Sequence, residues 1–223
     1  MLSKPETAKT FVRLVIYTLL AVLCAWAIQM DAGNLTGDGR KFVENSYTEW
    51  MQVCFILLSS AFFILSGKQF AKLRPVSYLL GGGFLVILIR EMDGYLDAIY
   101  HGAWLPFALV ALAITLAVVY RHRQGFGESV RLFMSLPAFG YFVSGGLGFF
   151  VFSRLFGYKG IWMALFDVDK LDPYGPMRWV KSAAEEGTEL FGYCLVFCAT
   201  IELYSFVKRQ MRPDTSHSPD IAS

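Results

Sequence analysis

The sequence is short of charged residues and of histidine, and both shortages exclude whole classes of function. Charged residues make up 17% of the 223 positions, whereas about 25% is usual for a soluble domain. Three histidines are too few for the histidine boxes of membrane desaturases and hydroxylases, and no HExxH zinc-protease motif occurs. A net charge of only +2 gives no support to a nucleic-acid partner.

Apolar residues make up 55% of the chain, and the mean hydropathy is +0.46. They occur in blocks of roughly 17–25 residues, the length that crosses a ~30 Å hydrocarbon core. We therefore predict an all-α polytopic membrane helix bundle, a single domain over residues 1–211 followed by a disordered cytoplasmic tail over 212–223. The six predicted spans are Phe11–Met30, Tyr47–Gly67, Val76–Asp97, Ala103–Tyr120, Val130–Phe152 and Thr188–Val207.

Two connecting or interrupted regions carry further expectations. The fifth predicted span contains Pro137, Gly140, Gly145, Gly146 and Gly148, which in a membrane helix favour a kink and close helix contact. The segment 161–166 is apolar but too short to span, so we expect it at the membrane interface. The segment 177–189 is predicted to be a helix that leads directly into span six.

The positions of lysine and arginine predict the orientation. Basic residues gather at both ends of the chain and in two of the predicted loops, and these segments alternate with mixed or acidic ones. Because cytoplasmic segments carry the excess of Lys and Arg, both termini are predicted to be cytoplasmic. The four basic groups are Lys4, Lys9 and Arg13; Lys68, Lys72 and Arg74; Arg121, Arg123 and Arg131; and Lys208, Arg209 and Arg212.

Acidic residues gather toward the opposite, extracytoplasmic side. A rise of ~1.5 Å per residue, counted from the basic anchors, brings carboxylates of spans two, three and six to one depth inside the outer leaflet. The residues at or just above this level are Glu49, Gln52, Arg90, Glu91, Asp93, Glu185, Glu186 and Glu189. Arg90, Asp93, Asp97 and His101 follow steps of three and four, so we expect one helical face to carry all four.

Two interpretations of these charges remain open. They pair with one another, with Arg90 bridging to Glu49 or Glu189, and with Arg178 and Lys181 serving the glutamates at 185 and 186. Alternatively the surplus acids share protons or bind a hard divalent cation such as Mg²⁺, Ca²⁺ or Mn²⁺, or iron with one histidine.

The second interpretation assigns roles to particular residues. The candidate metal ligands are Glu49, Asp93, Asp97, Glu185, Glu186 and Glu189. The candidate catalytic residues are Arg90, Glu91 and His101. Arg90 would bind an anionic group such as a lipid phosphate, and His101 would act as acid or base.

The four cysteines all fall in apolar blocks, where thiols usually pack as small apolar groups. Cys194, Cys198 and Glu202 step by four along span six and share a face. A soft-metal site would need further ligands, so packing cysteines and a glutamate that snorkels to the cytoplasmic interface are the favoured interpretation.

Three functions follow from these patterns. The first is a membrane-embedded, metal-assisted hydrolysis or modification of a lipid-like substrate. The second is a cation or proton transporter with the acidic cluster as its outer vestibule. The third is a structural or accessory subunit that contacts membrane lipids and a membrane-protein partner or a second copy of the chain.

Three short motifs support treating the acidic segments as one unit. They are Glu44-x4-Glu49-Trp50-x-Gln52, Arg90-Glu91-Met92-Asp93, and Glu185-Glu186-x2-Glu189 with Tyr193. Over most of its length the chain resembles small polytopic bacterial inner-membrane proteins of uncharacterised function that carry such a pattern. The resemblance implies a multi-pass protein of the bacterial inner membrane and implies no particular activity.

Overall fold

The computed structural model describes residues 4–33, 42, 45–170, 172 and 175–211, and over those residues the regular structure is entirely helical. The α-helices are α1 Lys4–Gly33, α2 Tyr47–Gln69, α3 Arg74–Glu91, α4 Asp93–Asp97, α5 Trp104–Arg121, α6 Phe126–Met134, α7 Pro137–Leu147, α8 Ser153–Gly157, α9 Lys159–Phe166 and α10 Pro176–Gln210. The predicted tail 212–223 and the motif residue Glu44 lie outside the described residues.

Six helical segments are long and apolar enough to cross a membrane, which confirms the predicted all-α class and the number of spans. They are Thr7–Gly33, Tyr47–Gln69, Ala71–Glu91, Trp104–Arg121, Pro137–Gly157 and Pro176–Gln210. The helix expected over residues 177–189 is continuous with the sixth span. The segment 161–166, which was expected at the membrane interface, lies in the separate helix α9.

Two predicted boundaries are wrong. Span three was expected to reach Asp97, but α3 ends at Glu91 because Met92 leaves the helical conformation at φ −95° and ψ 18°. Span five was expected to begin at Val130, but the chain is extended at Leu136, as is usual before proline. Pro137 then opens α7 at a position where its missing N–H costs nothing, so the fifth span begins there.

The long helix α10 lies at the centre of the bundle and contacts α1, α2, α7, α8 and α9. Its fully buried residues include Leu190, Val196 and Leu203, which join the main apolar core. In contrast, α5 contacts only α3 and α4 among the described elements and leaves most of its apolar side chains exposed. Charges carried by α10 must therefore be met by partners on the helices around it.

We call the end of the bundle near Asp31, Thr48 and Glu186 the acidic end, and the opposite end, near Arg13 and Lys208, the basic end. At the acidic end α1 is joined to α2 by Asp31, whose side chain is 4% exposed. Its carboxylate accepts hydrogen bonds from the Tyr47 N–H at 3.0 Å, the Thr48 N–H at 2.7 Å and the Thr48 hydroxyl at 2.6 Å. These bonds satisfy otherwise unpaired N–H groups in the first turn of α2.

Glycines let α7 approach α10 closely, as the sequence predicts. A Cβ atom at Gly145 would lie 2.5 Å from the Gly192 carbonyl oxygen, and one at Gly192 would lie 2.7 Å from the Phe149 nitrogen. The expected irregularity of this span is a π-helical turn, Gly148–Phe152. Turns of this kind occur as insertions in helices and are frequent at functional sites.

The close approach predicts a contrast between two neighbouring glycines. Gly145→Ala should lower the free energy of unfolding by about 1–3 kcal/mol, because the added methyl group overpacks the α7–α10 contact. Gly146→Ala should leave it unchanged or raise it slightly, because nothing lies within 4 Å of its Cβ position. Denaturant unfolding in mild detergent, followed by tryptophan fluorescence, checks this, and equal stability of the two variants would contradict the contact.

Candidate functional site

Charged side chains from α3, α8 and α10 meet at the acidic end, and we call them the carboxylate network. It consists of Glu91, Glu185, Glu186 and Glu189, the paired cations Arg90, Arg154 and Lys181, and the uncharged residues Gln52 and Tyr193. Gln52 comes from α2, so four helices contribute to the network.

The most buried carboxylate is Glu189, which is 5% exposed. Its Oε1 atom lies 2.9 Å from Nη2 of Arg154, a residue of α8. The π-helical turn directly precedes α8. The hydroxyl of Ser153, the first residue of α8, donates a hydrogen bond of 2.6 Å to the carbonyl of Phe149 in the turn. Because the extra residue of a π turn rotates everything that follows, this turn helps to decide that Arg154 faces α10.

Glu91, the last residue of α3, lies beside Glu189. Its Oε1 atom accepts hydrogen bonds from the Tyr193 hydroxyl at 3.1 Å and from Arg90 Nη1 at 2.9 Å. The Tyr193 ring is stacked on Phe149 with 4.7 Å between ring centroids, so this donor is held firmly. Glu91 thus bridges the end of α3 to the centre of α10.

The other two carboxylates have different surroundings. Gln52 is 2% exposed. Its side-chain amide donates two hydrogen bonds of 3.2 Å, one to the side chain and one to the main-chain carbonyl of Glu186. Glu185 pairs with the buried Lys181 at 2.5 Å. A Cβ atom at Gly157 would lie 2.3 Å from Oε1 of Glu185, so a larger residue at that point of α8 would displace this carboxylate.

Electrostatic interactions join these pairs into one unit. Glu91 is the charged side chain that interacts most strongly with Glu189, followed by Arg154 and Glu186, and Glu186 in turn interacts with Glu185 and Glu91. The network contains four carboxyl groups and three cations. Within the described part of the chain no cation forms an ion pair with Glu186, so Glu186 is the carboxyl group without a positive partner.

The structure brings together some of the predicted site residues and separates others. Arg90, Glu91, Glu185, Glu186 and Glu189 lie in the network, and Glu49 interacts electrostatically with Glu186 from its edge.

The remaining three predicted residues lie elsewhere because α3 ends at Glu91. Asp93 is exposed at the start of α4. Asp97 pairs with the fully exposed His101 at 3.4 Å and accepts from the Gly102 N–H at 3.0 Å. Among the described residues no hydrogen bond or ion pair joins these three to the network. The shared helical face expected for Arg90 through His101 is therefore wrong.

The expected ion pairs are confirmed in one case and corrected in another. Lys181 serves Glu185, as expected. Arg90 was expected to bridge to Glu49 or Glu189, but it pairs with Glu91, and Arg154 takes the place at Glu189. The sequence carried a signal for Arg154, because it is a basic residue directly after an apolar block.

A second polar group joins α1 to α10 toward the basic end. The thiols of Cys24, Cys194 and Cys198 lie close together, and all three residues are buried. One turn further along α10, Glu202 accepts from Arg13 Nη1 and from the Tyr17 hydroxyl, both at 2.6 Å. The expectation of a snorkelling Glu202 is wrong, because that side chain is only 8% exposed and is held by α1.

The comparisons give no relative to guide the interpretation. No protein-family model, no curated protein and no solved structure matches this chain. The class that fold and site define is therefore a six-helix bundle of membrane-spanning length with a buried carboxylate network at one end.

The network predicts that Arg154 is needed chiefly to neutralise Glu189. Arg154→Gln should lower the free energy of unfolding by about 1–3 kcal/mol, because a buried carboxylate loses its charged partner. Adding Glu189→Gln should restore most of that loss, since two amides replace the broken pair. Arg178→Gln, a change at an arginine outside the network, serves as control. Thermal unfolding in mild detergent checks this, and a double variant no more stable than Arg154→Gln would refute it.

Proposed function

We propose that the protein is a multi-pass protein of the bacterial inner membrane whose carboxylate network opens to the periplasm. The basic residues at the other end favour a cytoplasmic location of both termini. At this site we propose a divalent cation that assists the hydrolysis or modification of a lipid-like substrate. The observation that carries the proposal is Glu186, a half-buried carboxyl group that interacts with Glu91 and Glu189 and has no cationic partner among the described residues.

Charge balance supports a cation at this position. A charge inside a membrane span costs at least about 2.5 kcal/mol, so spans rarely retain one without a function or a partner. Glu186 receives only the neutral amide of Gln52. A bound cation would supply the missing positive charge, and carboxylate oxygens are the ligands that hard divalent cations prefer.

The arrangement of the carboxylates favours Mg²⁺ or Mn²⁺ over a caged ion. Among the residues that the structure describes, no group of three or more His, Cys, Asp or Glu side chains is arranged around one metal position. Mg²⁺ is commonly bound by one or two carboxylates, several waters and the phosphates of a substrate. Glu186 with Glu91 or Glu189 would meet that need, and Arg90 would bind the anionic part of the substrate.

Metal binding provides the direct test. Wild-type protein in detergent should bind Mn²⁺, observed as loss of the free-ion electron paramagnetic resonance signal, and Glu186→Gln should weaken binding roughly tenfold, or about 1.4 kcal/mol. Glu128→Gln removes a carboxylate from the first turn of α6 and should bind like wild type. Absence of Mn²⁺ binding at millimolar concentration, or equal binding by Glu186→Gln, would rule out the cation site.

A second candidate is a cation or proton carrier. The buried polar side chains between α1 and α10, from the three thiols to Glu202, favour it because they extend the polar residues into the basic half of the bundle. Against it, Arg13 neutralises Glu202 at 2.6 Å and leaves no free acid there.

Flux measurements separate the two candidates. We expect vesicles containing the purified protein to show no more cation-driven proton movement, followed with a pH-sensitive dye, than empty vesicles. The Arg13→Gln/Glu202→Gln variant, which stays neutral as a pair, should behave the same. Flux in the wild type that this variant abolishes would favour the carrier instead.

A further inference from the structure

The two arginines of the carboxylate network differ from its other members in exposure. The side chains of Arg90 and Arg154 are 48% and 50% exposed, whereas the side chains of their partners Glu91 and Glu189 are 14% and 7% exposed. Lys181, the remaining cation, is 7% exposed. The acidic groups of the network therefore lie deeper than the two guanidinium groups, which are half-exposed at its surface.

Most hydrogen-bond donors of these guanidinium groups are not used within the network. Each guanidinium has five N–H donors. Within the described part of the chain, Arg90 donates to Glu91 and Arg154 donates to Glu189, one bond each. The geometry of the remaining donors suits the two oxygens of a phosphate, which arginine binds better than lysine does.

The two groups belong to one site rather than to separate parts of the surface. Glu91, to which Arg90 is bound, is the charged side chain that interacts most strongly with Glu189, to which Arg154 is bound. Arg90 also interacts electrostatically with Glu189 and with Tyr193. An anion held between the arginines would lie above Glu91 and Glu189, next to Glu186.

The position of the arginines along their helices indicates where such an anion would come from. Arg90 is one residue from the end of α3, and Arg154 is three residues from the end of the fifth candidate span. This level corresponds to the boundary between the hydrocarbon core and the headgroups. Apolar side chains adjoin Arg154 on the exposed surface of the same span: Phe150, Val151, Phe152 and Leu155. They provide a surface for acyl chains below a phosphate.

We propose that Arg90 and Arg154 together bind the phosphate of a phospholipid from the leaflet at the acidic end, and that this lipid is the substrate of the site. The substrate class rests on the proposed function, whereas the binding of the lipid stands independently of it. No change to the pairing of the buried glutamates is required.

Native mass spectrometry with defined lipids tests this inference. Protein in detergent is titrated with phosphatidylglycerol in the presence of a chelator, so that the measurement does not depend on the proposed cation. Arg90→Gln and the charge-balanced Arg154→Gln/Glu189→Gln variant should each bind the lipid about tenfold more weakly than wild type. Diacylglycerol, which lacks the phosphate, should not bind at the site.

The controls separate a built site from general attraction between basic residues and lipid headgroups. Arg178→Gln also removes an arginine from the acidic end but lies outside the network, and it should bind phosphatidylglycerol like wild type. Equal loss in this control and in the network variants, or undiminished binding by the latter, would overturn the proposal.

Two further measurements distinguish the possible failures. Glycerol phosphate should compete poorly with the lipid; competition at equal concentration would assign the site to a soluble phosphate compound and overturn the lipid. The Mn²⁺ titration is independent of both experiments. Lipid binding without Mn²⁺ binding would remove the cation and retain the arginine site, and the reverse result would do the opposite.

Discussion

The fold depends on the pairing of charges that α10 carries through an apolar bundle. Leaving a charge unpaired in such surroundings costs several kcal/mol, so partners on other helices are favoured. Glu202 is met by Arg13 from α1, and Glu189 by Arg154 from α8. Gln52 from α2 serves Glu186. The same contacts that neutralise α10 therefore place the surrounding helices.

The charges at the two ends of α10 are paired differently, and this difference indicates where chemistry can occur. Toward the basic end one acid is matched by one arginine and one tyrosine hydroxyl, and the group is closed. At the acidic end four carboxylates share three cations, and two of those cations are half-exposed. Only the acidic end retains both an unmatched charge and access from outside, which is why the cation and the lipid are proposed there.

Sequence reasoning succeeded where the physical signal is local. Apolar blocks of membrane-spanning length identified the six candidate spans, and depth counted from basic anchors identified Glu186 and Glu189 as members of one group. It failed at the end of α3 and at the π-helical turn, because each depends on the conformation of a few residues. Those failures account for the misplaced His101 and for the overlooked Arg154.

The sequence by itself determined the class of structure, because hydropathy and the distribution of lysine and arginine depend only on composition along the chain. It also determined which end of the bundle is acidic. Only the tertiary structure decided which charges meet. The partner of Glu189 depends on a rotation introduced by the π turn and on the close contact of Gly145 with Gly192. Such pairing arises from the packing of helices far apart in sequence, and no local pattern encodes it.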